Sequence, residues 1–67
     1  MSIGENIKRI RESSGITQVE LSKTSSISQE HISRIENDKF TPNIKTAVLI
    51  ADALGVSLMD LLEDKEK

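Results

Sequence analysis

Thr17-Gln18-Val19-Glu20-Leu21-Ser22-Lys23 and Ser28-Gln29-Glu30-His31-Ile32-Ser33-Arg34-Ile35-Glu36-Asn37 read as two short helices parted by a break too tight to be a linker. Each opens with a hydroxyl residue followed by a glutamine. Thr17 and Glu20 have the spacing of a capping box, in which hydroxyl and carboxylate satisfy each other's backbone N–H. That predicts a helix from Gln18 to about Thr24. Ser28 is the cap of the next helix, and Glu30 in its first turn favours the positive end of the helix dipole.

The flanking sequence repeats the pattern. Ile3, Ile7 and Ile10 recur at helical spacing and predict an opening helix over roughly residues 2 to 13. Ser13-Ser14-Gly15 stops it, with Gly15 suited to a left-handed position. Asp38-Lys39-Phe40-Thr41-Pro42 reads as a loop. Asn43 caps a fourth helix, expected to turn Ile44, Ala47, Val48, Ala51 and Leu54 inward, and Gly55 ends it. Ser57 and Asp60 cap a last short helix carrying Leu58, Leu61 and Leu62. No segment alternates with period two, so the expected fold is all-α with five helices.

Sixty-seven residues make one expected domain, 1–67, with a short acidic tail over 60–67. A chain of this length buries only roughly 60% of its unfolded surface. It has no cysteine, so neither a disulfide nor a thiolate metal site supports it. Helix packing must, with a second copy as a further source. No apolar run approaches the ~20 residues of a membrane span, and no signal-peptide layout opens the chain. A cytoplasmic, nucleoid-associated location is the default expectation, with no membrane partner. The net charge of −2 excludes a broad positive field. Without the tail, acidic and basic side chains balance.

On the second quoted helix, Ile32 and Ile35 point inward, joined by Ile27 from the turn. The opposite arc holds Gln29, Glu30, Ser33, Arg34 and Asn37. A solvated face is one reading, but such a face is more often a lattice of Lys and Glu pairs. These types instead match base edges. Gln and Asn pair bidentately with adenine, Arg with guanine, Glu accepts from cytosine, and Ser serves several bases. A helix, a tight turn and a second helix with such a face form a device for reading the major groove of duplex DNA.

The chain resembles the phage-repressor and Cro-like (XRE-type) helix-turn-helix regulators. The resemblance rests on Ile7-Lys8-Arg9-Ile10-Arg11, Gly15-Ile16-Thr17-Gln18, Glu20-Leu21-Ser22, Ile27-Ser28-Gln29 and Ile32-Ser33-Arg34-Ile35-Glu36-Asn37. It continues through Pro42, Ile50-Ala51-Asp52-Ala53-Leu54-Gly55-Val56-Ser57 and Asp60-Leu61-Leu62. It implies a five-helix lambda-repressor-like domain, with the motif at helices two and three. It also implies a homodimer that binds a pseudo-palindromic operator. Under it Gln29 reads adenine, and Glu30, Ser33 and Asn37 face groove or backbone. Gln18 bonds phosphate and braces helix three. Thr17 and Ser28 touch phosphate while capping, and Lys39 meets phosphate just past helix three. Arg34 has two readings, a phosphate contact or a pair with Glu30. Arg11 and Glu36 fall where the family pairs an arginine with a glutamate, and are assigned to structure.

Two residues depart from the family pattern. Ser22 replaces the usual alanine, and its hydroxyl must find a backbone carbonyl. Ser26 replaces the usual turn glycine, at a cost of about 1 kcal/mol for a left-handed residue. Leu49 and Met59 point away from the expected core, with Ala53 near it, and with Leu62 they are the candidate dimer surface. Phe40 is expected to pack beside Pro42, and His31 to take a packing role. One histidine and no Gly-rich phosphate loop exclude an evident enzyme site, so no catalytic residue, metal or cofactor is assigned, nor any small-molecule effector. The competing class is an antitoxin-like or adaptor module that uses the same fold to grip protein. The acidic, lysine-containing end also fits a chain cut from a larger regulator.

Overall fold

A computed structural model describes residues 2–63, so Met1 and the last four residues of the expected acidic tail lie outside the described residues. The element order is α1 (Ile3–Ser13), α2 (Gln18–Ser25), α3 (Gln29–Glu36), α4 (Ile44–Leu54) and α5 (Leu58–Leu62). No strand occurs among the described residues, and none of the helices is long and apolar enough to cross a membrane.

Helices of eight and five residues do not persist alone in water. Side-chain caps and tertiary packing hold these. Thr17 and Glu20 form a reciprocal box, with Glu20 N donating to Thr17 Oγ1 at 3.1 Å and Thr17 N to Glu20 Oε1 at 2.9 Å. Ser57 with Asp60 does the same for α5, and Ser2 with Glu5 for α1. Ser28 Oγ accepts from His31 N, and Asn43 Oδ1 from Thr46 N. Each such cap contributes about 1 kcal/mol.

Packing gathers the helices around Ile7, Leu21, Ile32, Ile35, Ile50 and Leu61, each at most 1% exposed. α2 packs on α3 and α4, while α1 packs on α3, α4 and α5. Burying each such side chain contributes about 1.5–3 kcal/mol before chain entropy is set against it. The inner face of α4 differs from the expected one. Ala47, Ile50, Ala51 and Leu54 are buried, while Ile44 is 69% and Val48 37% exposed. The seam runs at i, i+3, i+4, i+7 from Ala47, which turns Ile50 inward and rotates Val48 out. Ile44 is the first residue of α4, beyond the reach of the core.

Two close contacts had no counterpart in the sequence reading. Gly4 lies where α1 meets the end of α3, and a Cβ there would sit 2.0 Å from the Ile35 carbonyl oxygen. Asn6 is buried. Its Nδ2 donates to the carbonyl oxygens of Leu61 (2.8 Å) and Glu63 (3.0 Å), and Arg9 Nη2 donates to its Oδ1. Asn6 thus ties the C-terminal end of α5 to α1.

Candidate nucleic-acid interface

The turn between α2 and α3 sets the angle at which α3 is presented, and three serines build it. Ser26 ends α2 in the left-handed region at φ 66°. A non-glycine residue there costs roughly 1–2 kcal/mol. Neighbouring side chains offset this. Ser22 Oγ donates to the Ile27 carbonyl oxygen, and buried Ser25 Oγ accepts from Ile27 N at 3.2 Å. The hydroxyl of Ser22 therefore has the carbonyl it required, and the motif closes without glycine.

Beneath the turn lies a charged junction. Arg11 Nε donates to Glu36 Oε2 at 2.7 Å and Arg11 Nη2 to Glu36 Oε1 at 3.0 Å, a fork-to-fork pair with side chains 10% and 1% exposed. Arg11 Nη1 also donates to the Ile16 carbonyl oxygen at 2.8 Å. The hydrogen bond to Glu36 is the largest influence on Arg11 and, against desolvation, holds its pKa above the ordinary value. The guanidinium stays charged at any pH the fold meets. Gln18 Nε2 donates to Glu36 Oε1 at 3.0 Å, so one carboxylate ties together α1, α2 and α3. No spacing rule links residue 18 to residue 36; the resemblance implies that Gln18 braces helix three, and the bond to Glu36 is how it does so.

Above the junction α3 leaves its outer arc open. Gln29, Glu30, Arg34 and Asn37 are exposed and Ser33 is half-buried. Asn37 Nδ2 donates to Ser33 Oγ at 3.4 Å, and Arg34 Nη2 to Glu30 Oε2 at 2.9 Å. Of the two readings of Arg34, the pair with Glu30 is the one observed. Thr17, Ser28 and Lys39 are also exposed, while half-buried Gln18 keeps one amide N–H and its carbonyl oxygen free of Glu36. The hydroxyls of Thr17 and Ser28 accept from backbone N–H groups and retain their own protons for an outside acceptor. Ser28, Glu30, His31 and Arg34 line a shallow open depression. Phe40 meets His31, ring centroids 4.5 Å apart and planes tilted by 56°, a contact beyond the expected packing beside Pro42. Ala53 is partly buried against the core, as expected of a residue near it, whereas Leu49, Met59 and Leu62 are exposed.

An eight-residue helix is about 12 Å long, comparable to the width of the major groove. The helix-turn-helix profile matches residues 7–61 of this chain. The chain belongs to the helix-turn-helix family. Its relatives include repressor-like DNA-binding transcription regulators. The helix-turn-helix chain is 37% identical over 60 residues to the transcriptional regulator y4dJ of Sinorhizobium fredii, covering 90% of this chain and 78% of that protein. It is 31% identical over 65 residues to the immunity repressor protein of Bacillus phage phi105, covering 97% of this chain but only 45% of the repressor. The N-terminal DNA-binding domain of SinR from Bacillus subtilis superposes with a TM-score of 0.86 at 30% identity, covering 97% of this chain and 96% of that one. The five-helix architecture with α2 and α3 as the helix-turn-helix is therefore that of lambda-repressor-like domains.

Proposed function

We propose that this chain is a sequence-specific regulator of transcription in the cytoplasm. It binds a pseudo-palindromic operator as a homodimer with α3 in the major groove. The observation that carries the proposal is the outer arc of α3. Gln29, Glu30, Arg34 and Asn37 are all exposed among the described residues. Gln29, Glu30, Ser33 and Asn37 read bases, while Thr17, Gln18, Ser28 and Lys39 hold phosphates. Because the charge balance is acidic, affinity depends on aimed hydrogen bonds and the helix N-termini more than on a general positive field.

Selection from a random duplex library tests this directly. It should return a two-fold site with half-sites about 34 Å apart. On that site Gln29→Ala is expected to weaken binding by about 1–3 kcal/mol and to relax preference at one base pair per half-site. Equal loss on every sequence would remove Gln29 from base reading. A library that yields no enriched duplex would leave the antitoxin-like or adaptor reading in its place.

The dimer is assigned to Leu49 on α4 and to Met59 and Leu62 on α5, which are 37%, 59% and 52% exposed on helices that pack against each other. Apolar side chains left open on so small a body suit an isologous contact. Leu49→Glu should give monomers in sedimentation equilibrium with an unchanged helical spectrum. Dimers of undiminished affinity would move the interface elsewhere.

A further inference from the structure

We infer that Glu30 is a specificity-determining residue that suppresses binding to arbitrary duplex by holding Arg34 away from phosphate. The inference rests on the DNA-binding reading above and deepens it. Glu30 Oε2 accepts from Arg34 Nη2 at 2.9 Å, one helical turn apart on the open arc of α3. The two side chains are 76% and 62% exposed, so the fold itself has no use for the pair. An ion pair so open to water adds little to stability. Its importance lies in what happens when α3 approaches DNA.

A carboxylate has only acceptors, and phosphate offers it no donor. Duplex DNA carries a negative charge about every 1.7 Å along its axis, and Glu30 enters well inside the Debye length of about 10 Å. On an arbitrary sequence Glu30 is therefore repelled and keeps Arg34 as its partner. The carboxylate beside it offsets the charge that Arg34 brings to the phosphates. Only a base edge that donates, such as the N4 amine of cytosine, gives Glu30 a replacement partner and frees Arg34. The pair acts as a conditional latch on a cation.

Glu30→Gln removes the repulsion and the latch while keeping a polar side chain of the same shape. It is expected to raise affinity for an arbitrary duplex about three- to tenfold and to steepen its log K against log salt slope by about 0.9, the signature of one added phosphate contact. On the selected operator, where Glu30 meets a donating base edge, it should weaken binding, so the ratio of specific to arbitrary affinity falls. Arg34→Gln in the Glu30→Gln background should return the arbitrary-duplex slope to the wild-type value. The measurement is fluorescence anisotropy on an operator and a scrambled duplex at four salt concentrations, with circular dichroism as the check on folding. An unchanged arbitrary-duplex affinity in Glu30→Gln would overturn the inference, as would a steeper slope that persists without Arg34. If the wild type binds neither duplex at low salt, the DNA-binding reading itself has failed, and this inference with it.

Discussion

Glu36→Ala is expected to destabilise the fold by about 3–5 kcal/mol, the usual consequence of stranding a buried charge. The Glu36 side chain is 1% exposed and accepts from Arg11 Nε, Arg11 Nη2 and Gln18 Nε2. Truncation leaves the Arg11 guanidinium facing a cavity, with the Ile16 carbonyl oxygen and the more distant Glu12 carboxylate at 3.9 Å as remaining partners. Arginine cannot relieve this by losing its proton. Small domains have about 5–15 kcal/mol of stability in all, and a chain this short lies toward the low end. Much of the Glu36→Ala population should therefore be unfolded at 37 °C. Urea titration by circular dichroism should show a lower midpoint with an unchanged slope. The double variant Arg11→Met, Glu36→Leu removes both charges together and should recover most of the loss. A single variant within about 0.5 kcal/mol of wild type, the range of ordinary surface substitutions, would mean that the junction contributes nothing.

The second large effect is expected at Gly4, where two rules oppose each other. Alanine favours a helix interior over glycine by about 1 kcal/mol, and Gly4 in the first turn of α1 has at most that much to gain, so local propensity makes Gly4→Ala stabilising. The tertiary contact makes it destabilising. The new Cβ would lie 2.0 Å from the Ile35 carbonyl oxygen and 2.9 Å from Asp38 Oδ1. Asp38 can swing its side chain aside. The Ile35 oxygen belongs to the backbone of α3 and can move only if α3 moves. Overpacking of this kind typically costs about 1–3 kcal/mol, occasionally more, and a rigid neighbour places it at the upper end. The contact should win, for a net loss of about 2 kcal/mol. Operator affinity should fall as well, because the displaced element is the one that reads DNA. A stabilised Gly4→Ala would show that α1 and α3 do not meet closely.

Helix boundaries were legible to within a residue wherever a cap lies close in sequence. Thr17 with Glu20, Ser28 with His31 N, Asn43 with Thr46 N and Ser57 with Asp60 are all bonds across three residues. Such bonds form with the first turn of a helix and depend on little else. Ser2 with Glu5 has the same spacing and was readable by the same rule. The end of α2 falls one residue later than expected, at Ser25, because Ser26 N still donates to the Ser22 carbonyl oxygen. The outer arc of α3 was readable because Ile32 and Ile35 set the apolar part of its inner face. α4 was not so simple. It is apolar on several sides, and periodicity there admits more than one seam: the one through Ile44 and Val48 is as regular as the one through Ile50 that the fold uses. Asp38 takes φ 61° without a glycine to announce it, and the contact of Phe40 with His31 needs the loop to fold back on α3.

By itself the sequence determined the number, order and ends of the helices, the family, and the residue types offered on the outer arc of α3. These follow from interactions between neighbours along the chain, whose energies are set before the body forms. Only the tertiary structure decided which side of α4 is buried, why Gly4 admits no side chain, how Asn6 closes α5 onto α1, and how Glu36 joins three helices. Those contacts bring together groups 18 to 57 residues apart in the chain for the hydrogen bonds of Asn6, Arg11 and Gln18. Such partners are chosen by packing geometry, and no local pattern encodes which of many polar groups will meet.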